Sequence, residues 1–347
     1  MRIAVAPQMR PTSKRLMNVL LLVLVTGAIL FWFWAYIQGS GLGPERPQLF
    51  SDATRYLAAA ERLNAGHSLY ELLPGDRPVL TIPGVHDAPL LSPPPIAVAW
   101  RLIAAVPFGF ATWMIAAGVA LFAAVAIVVL RSPLPGAPLA FALSLPLGEA
   151  LFGGNAVVFY PLLYLAAWRY RQQGWVGVLI AVMAADKLGP IALLAWLLGA
   201  RRFRPLLSAA VTLPIVFVLG GIGAGFHSYV EWFPVLGTIR PSPLGVSGLT
   251  GVPWASYAVL VAGVLVALLV GRRWEPVAFV AALMAAVLGN PALYPGHLAA
   301  LLAVAAPIVF PSPAGEEAAQ TLPLALRPTG WLATLRAARS RAPKAAD

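Results

Sequence analysis

LMNVLLLVLVTGAILFWFWAYI, from Leu16 to Ile37, is the stretch that decides the fold. It is uncharged, and about twenty apolar residues are enough to carry a helix across a bilayer core. Arg2, Arg10, Lys14 and Arg15 precede it, as in a secretory signal. The run is too long for a signal core, however, and ends in WFWAYIQ rather than in a small-residue cleavage site. It reads as a retained first span with an aromatic interfacial end.

Similar runs recur along the chain. The protein is 60% hydrophobic and only 11% charged, with a mean hydropathy of +0.80, whereas a soluble chain carries about a quarter charged residues. The excess apolar surface therefore faces lipid. Backbone groups in lipid must be satisfied internally, which leaves helices or a closed barrel. Continuous rather than alternating runs select helices. The expected fold is all-α and polytopic. With no cysteine, disulfides and thiolate metal sites are excluded. The net charge of +11 does not imply nucleic acid, because the Lys and Arg residues cluster between apolar runs.

Those clusters set the topology. The basic N-terminus, residues 1–15, is expected in the cytoplasm. The loop 39–92 carries four arginines (46, 55, 62 and 77) against six acids (Glu45, Asp52, Glu61, Glu71, Asp76, Asp87), a net of −2, which suits the outer face. Arg131, Arg169 with Arg171, Arg201 with Arg202 and Arg204, and Arg272 with Arg273 each follow an apolar run and are expected inside. Between them, 137–152 and 156–168 pair at a GGNA turn, and 174–186 and 188–200 pair at DKLGP. The runs 205–222 and 253–271 enclose a second outer loop, 223–252. The last pair, 275–289 and 292–310, turns at GNPALYPGH. The turns then share the face of Asp52. Residues 93–107 are short and contain Arg101, so they read as a re-entrant or interfacial helix. The pair 174–200 is short for two full crossings. About ten spans are expected in a single domain, 16–310. A disordered or surface-bound basic tail at 311–347 is expected inside.

Polar residues surviving in such a chain are functional candidates. Asp52 opens an amphipathic helix, as a cap, a base or both. Asp186 and Lys187 precede Gly189-Pro190, and either neutralise each other or leave Lys187 to hold a phosphate. Glu149 and Asn155 flank the GGNA turn, to bond a sugar or to tie helices together. Tyr56 lies one turn from Asp52, and Tyr294 stands beside His297. That histidine is either structural or able to orient Asp52 or bind phosphate. His227, Tyr229, Glu231 and Trp232 fit an interfacial helix as well as a binding surface. No P-loop, dinucleotide fingerprint, HExxH, nucleophile elbow or DxD pair is present.

Several segments taken in order, SDATRYLAAAERLNAGHSLYE, SPPPIAVAWRLIAAVP, GGNAVVFYPLLYLAAW, DKLGPIALLAWLL and NPALYPGHLAALL, resemble glycosyltransferase family 87. These are the polyprenol-phosphate-mannose-dependent mannosyltransferases of the GT-C superfamily. The resemblance implies a GT-C-like bundle with interfacial helices in a long first outer loop. It also implies Asp52 as catalytic base, His297 as its assistant and Lys187 on the donor phosphate. Asp186, Asn155, Tyr56, Glu149 and Tyr294 are the further expected substrate contacts. Ser92 replaces an aromatic residue of the family pattern, Gly154-Asn155 stands for its Gly-Gln pair, and Gly189 for a frequent threonine. The expected reaction is inverting transfer of a sugar, most simply mannose, to a lipid or glycan acceptor at the outer face of a bacterial cytoplasmic membrane. No cofactor or metal is expected, since the lipid-linked sugar is a substrate. The partners are donor, acceptor and membrane lipids. A transporter or lipid-linked-sugar flippase is the rival reading, because broken helices with polar sites suit that class.

Overall fold

The computed structural model describes residues 11–40, 49–74, 90–238 and 241–311. Residues 1–10 of the expected basic N-terminus, 41–48 and 75–89 of the first outer loop, 239–240 of the second, and 312–347 of the expected tail lie outside the described residues. Every regular element within them is helical. The elements are α1 (Pro11–Ser40), α2 (Ser51–Asn64), α3 (Pro94–Ala105), α4 (Gly109–Arg131), α5 (Pro133–Ala142), α6 (Ser144–Gly153), α7 (Tyr160–Arg169), α8 (Gly174–Asp186), α9 (Ala192–Gly199), α10 (Phe203–Ala224), α11 (His227–Thr238), α12 (Val246–Thr250), α13 (Ala255–Val270), α14 (Glu275–Leu288) and α15 (Ala306–Val309). Tight 3-10 turns at Ala156–Phe159 and Gly189–Ile191 lead into α7 and α9, and a longer 3-10 run, Pro295–Ala305, leads into α15.

Three helices are long and apolar enough to cross a bilayer: Arg15–Gly39 within α1, then α4 and α10. Leu16, Leu20, Val23 and Leu24 of α1 are exposed, as are Leu207, Val211 and Ile215 of α10. Apolar faces of this extent suit contact with lipid. Shorter apolar segments fill the rest of the bundle. The expectation of about ten spans requires them to cross as well. The Pro295–Val309 segment has the length for it. Its 3-10 part rises about 2.0 Å per residue instead of 1.5, so fifteen residues extend roughly 28 Å.

Prolines decide where the apolar runs break. Pro occupies the first turn of α3, α5, α7, α14 and the Pro295 segment, where its fixed φ suits a helix start and its missing N–H is harmless. Elsewhere it interrupts. The run 137–152, expected as one helix, is bent by 57° between α5 and α6. Pro146 cannot donate to the Ala142 carbonyl, and its ring crowds that oxygen. By the same rule Pro190 denies a partner to the Asp186 carbonyl, and α8 ends at Asp186. Lys187 then turns extended (φ −136°, ψ 126°).

α3 is short, as its sequence suggests. At twelve residues it spans about 18 Å. Arg101 leaves its side to bond Asn64 Oδ1 (2.7 Å) and the Gly223 carbonyl (3.1 Å), at the ends of α2 and α10. α2, α3 and α11 share a core of Ala53, Tyr56, Ala60, Ala97, Trp100 and Trp232. The Trp232 indole donates to the Leu91 carbonyl (3.0 Å), fastening α11 over this layer.

Helices α7, α8 and α14 run between two polar ends of the bundle. One end holds Tyr160, Asp186 and the turn after Leu288. The other holds Arg171, Arg202 and Glu275. There Arg202 grips Glu275 through both carboxylate oxygens (Nε–Oε1 2.8 Å, Nη2–Oε2 2.6 Å), and Arg171 Nε reaches Oε2 at 3.3 Å. The Arg171 guanidinium also lies 4.3 Å from the Trp168 ring centre, above a packed group of Trp168, Trp196 and Phe279.

Candidate active site

Helix ends converge at the Tyr160–Asp186 end, and they bring the carboxylates. Asp52 is the second residue of α2; the cap position belongs to Phe50, so the capping reading of Asp52 is corrected. Phe50 holds a left-handed backbone (φ 59°) that non-glycine residues seldom adopt. Its N–H donates to the Phe152 carbonyl at 2.7 Å, and its ring meets Phe110 edge-on. These contacts fix where α2 begins and aim Asp52 at the end of α6. The first turn also places the carboxylate at the positive end of the helix dipole.

Asp52 uses its two oxygens differently. Oδ2 accepts from Asn155 Nδ2 at 2.6 Å. Among the described residues Oδ1 has only Arg55, at 3.8 Å, and the side chain is 35% exposed. Asn155 is itself oriented. Its Oδ1 accepts from the Val157 N–H at 3.1 Å, capping the 3-10 turn, so the amide presents its nitrogen to the carboxylate. The preceding Gly154 carbonyl accepts from the Trp113 indole at 3.0 Å, which ties the turn to α4.

Glu149 approaches from α6. Its carboxylate takes a hydrogen bond from the Gly296 backbone and lies within the electrostatic reach of Asp52. A side chain at Gly296 would collide with Glu149 Oε2 and the Ala150 backbone. The Tyr294-Pro295-Gly296-His297 turn depends on that glycine. Tyr294 and His297 close the turn reciprocally. The Tyr294 N–H donates to His297 Nδ1 at 3.3 Å, and the His297 N–H to the Tyr294 carbonyl at 3.0 Å. No hydrogen bond joins His297 to Asp52; the ring feels the charge of Lys187. Tyr294 faces Asp52, Arg55 and Glu149 electrostatically, and burial first of all raises its hydroxyl pKa.

The third acid, Asp186, is 6% exposed. Its Oδ2 accepts from the Tyr160 hydroxyl at 2.8 Å, while its Oδ1 is buried without a partner. No ion pair joins it to Lys187, so the neutralising pair allowed by sequence does not form as a contact. Lys187 is half-buried and has no carboxylate at ion-pair distance among the described residues. Tyr56 lies within reach of both Asp186 and Asp52. Burial, then those two charges, push its hydroxyl well above the ordinary phenol range, so it remains a hydrogen-bond donor. Ser92 bonds that hydroxyl, and its carbonyl accepts from the Tyr70 hydroxyl at 2.8 Å.

The eight residues singled out in the sequence thus lie around one end of the bundle. Asp52, Asn155, Glu149 and Tyr294 form one side, Asp186, Lys187 and His297 the other, and Tyr56 stands between. His227 pairs with Glu231 at 3.7 Å, and Glu231 accepts from Ser68 at 2.9 Å, at the edge of the α2–α3–α11 layer. Sequence reading overlooked Arg55, although its i+3 spacing from Asp52 is a helical pairing signal. It also overlooked Tyr160, whose hydroxyl had to find a partner once buried, and Tyr36, which stacks on Phe152 and shares the field of Glu149. Among the described residues no three His, Cys, Asp or Glu side chains are grouped so as to hold a metal ion.

No curated protein and no solved structure matches this chain. Residues 91–311, more than half of the protein, match the family described as Glycosyltransferase family 87, and six of the eight site residues fall inside that stretch. The chain belongs to glycosyltransferase family 87, and is a helical membrane glycosyltransferase.

Proposed function

We propose that the protein transfers mannose, with inversion, from a polyprenyl-phosphate donor to a lipid or glycan acceptor on the outer face of a bacterial cytoplasmic membrane. Asp52 is the general base. It takes the proton of the acceptor hydroxyl as that oxygen attacks the anomeric carbon. The sugar–phosphate C–O bond breaks, and polyprenyl phosphate departs with the bonding electron pair. A single base suffices for this displacement, because the leaving group is good and no second nucleophilic acid is required.

The observation that carries the reading is the asymmetry of Asp52. One oxygen is anchored by Asn155, and the other has no hydrogen bond among the described residues, with Arg55 at 3.8 Å. A base needs that combination of fixed aim and a free lone pair. Lys187, a half-buried ammonium with no carboxylate at ion-pair distance among the described residues, offsets charge on the departing phosphate. His297 shares its field and assists from the same side. Asp52 and Tyr56 precede the family match, and the hydrogen bond to Asn155 joins the carboxylate itself to it.

The test is incubation of purified protein with radiolabelled polyprenyl-phosphate mannose and a membrane lipid extract. A labelled glycolipid is expected. Asp52→Asn keeps the Asn155 bond available through its amide oxygen, and should lower transfer by about 10²- to 10⁴-fold without unfolding the protein. Undiminished transfer by that variant overturns the base assignment. Movement of label across vesicles with no new covalent product would favour the flippase reading instead.

A further inference from the structure

The opposite end of the bundle holds charges that the transfer reaction does not use. A cavity of about 300 Å³ opens there, lined by Gln172, Arg201, Arg202, Phe203, Arg204 and Pro205. Arg202 is committed to Glu275. Arg201 and Arg204 are exposed and have no acidic partner among the described residues. Gly271 packs on the Gly199–Ala200 backbone, which brings Arg272 and Arg273 to the same end. Glu275 is the acid there, and it is already saturated by Arg171 and Arg202. The cavity is therefore strongly electropositive.

Arg201 also occupies an unfavourable backbone position. The end of α9 closes with the Arg202 N–H on the Leu197 carbonyl (2.7 Å) and the Arg201 N–H on the Leu198 carbonyl (3.0 Å). In that motif the residue at the position of Arg201 is left-handed and normally glycine. Here it is arginine at φ 56°. Glycine would relieve the strain, so what the chain keeps at this position is the guanidinium at the cavity rim. The Arg202 side chain caps no amide of α10. The Phe203 and Arg204 N–H groups of its first turn thus add to the positive field.

Below the arginines, Phe203, Leu207, Val211 and Ile215 are 58%, 68%, 53% and 50% exposed, forming an apolar ridge at four-residue spacing. A phosphate held at the rim would carry its hydrocarbon chains down this ridge. We infer that the cavity binds the phosphodiester headgroup of an anionic phospholipid, with Arg201 and Arg204 on the phosphate and the acyl chains along α10. The positive-inside distribution puts this end at the cytoplasmic leaflet, where anionic lipids exert their surface potential. The inference is independent of the sugar-transfer reading, since it involves none of the residues around Asp52.

The test is thermal unfolding of the full-length protein in neutral detergent, titrated with phosphatidylglycerol, with phosphatidylcholine or with inorganic phosphate. Phosphatidylglycerol alone should raise the Tm, less so at high salt. Arg201→Gly should keep or raise the lipid-free Tm, because it removes a strained residue, yet weaken the lipid response by roughly fivefold. Arg204→Gln, on an exposed first turn, should weaken it comparably and serves as the second probe if Arg201→Gly folds poorly. Equal responses to both lipids, or unchanged responses in both variants, overturn the proposal. A matching response to inorganic phosphate overturns the lipid assignment.

Discussion

The two polar ends of this bundle treat their carboxylates in opposite ways. Glu275 has both oxygens occupied by two arginines, of which Arg171 is itself packed on Trp168. Asp52 has one oxygen hydrogen-bonded and the other only 3.8 Å from Arg55 among the described residues, and Asp186 has one bonded and one without a hydrogen-bond partner. Lys187, close to them, has no carboxylate at ion-pair distance among the described residues, although its charge reaches Asp186. Charges in a low-dielectric region are stable when paired and costly when not. At the saturated end it is Glu275 that is complete, while Arg201 and Arg204 at the cavity rim have no acidic partner among the described residues. The unsaturated end lacks what a substrate would bring: hydroxyls that donate to carboxylates and a phosphate that accepts from an ammonium. How fully a carboxylate is paired separates the Glu275 anchor from the candidate site in the same set of helices.

That contrast breaks most visibly at Glu275. Glu275→Ala leaves the Arg171 guanidinium, whose side chain is 10% exposed, beside Arg202 without an anion. A loss of about 3 kcal/mol is expected, in the range for breaking a buried pair, read as a lower Tm in detergent. The protein that remains folded should transfer sugar at the wild-type rate. A fall in specific activity with an unchanged Tm would mean that the two ends are not functionally separate.

Lys187→Gln should reverse the pattern. No ion pair is lost, so the Tm should stay within a degree or two. If Lys187 holds the departing phosphate, removing its ammonium should lower kcat/KM by roughly 30- to 100-fold, about 2–3 kcal/mol of transition-state stabilisation. A Tm loss as large as that of Glu275→Ala would show that Lys187 has a hidden structural partner.

Much of this contrast was legible in the sequence because it depends on punctuation. Pro190 sets the end of α8, so the Asp186-Lys187 break could be read before any coordinates. The GGNA and YPGH turns were legible for the same reason. What could not be read was which atoms meet across the bundle. Nothing in the order of residues says that Asn155 reaches Asp52, 103 positions away, or that Tyr160 serves Asp186. The bend at Leu143 was missed because hydropathy is blind to Pro146 inside a uniformly apolar run. Gly189 looked like a departure from the family pattern. A side chain there would strike the Ala286 carbonyl of α14, so the helices approach too closely for threonine.

Asn155→Ala sharpens the unsaturated side. It removes the donor on Asp52 Oδ2 and the cap on Val157 together. A hydrogen bond to a charged group contributes about 1.5–3 kcal/mol. Asp52 is 35% exposed, so water makes up part of the loss and about 1.5 kcal/mol is expected. Activity should fall about tenfold through loss of aim, with kcat affected more than KM. If Asp52 is the base, the same change in the Asp52→Asn background should cost little further activity, because nothing is left to orient. Additive losses would show that Asn155 acts on the substrate rather than through Asp52.

The smallest effect should come from Tyr160→Phe, and its sign bears most directly on the comparison. The Tyr160 hydroxyl is the hydrogen-bond donor on Asp186 Oδ2, and it also stands 3.1 Å from the Met183 carbonyl. Deleting it leaves Asp186 with no donor on either oxygen. If Asp186 is held in an unfinished site, the variant should lose about 1 kcal/mol of stability on its own, and recover more of its Tm than the wild type when the lipid-linked donor is added. A substrate that hydrogen-bonds Asp186 must contribute more to a carboxylate that has lost its one internal partner. Recovery no greater than in the wild type would place Asp186 with Glu275, as a structural charge whose ligand is the protein itself.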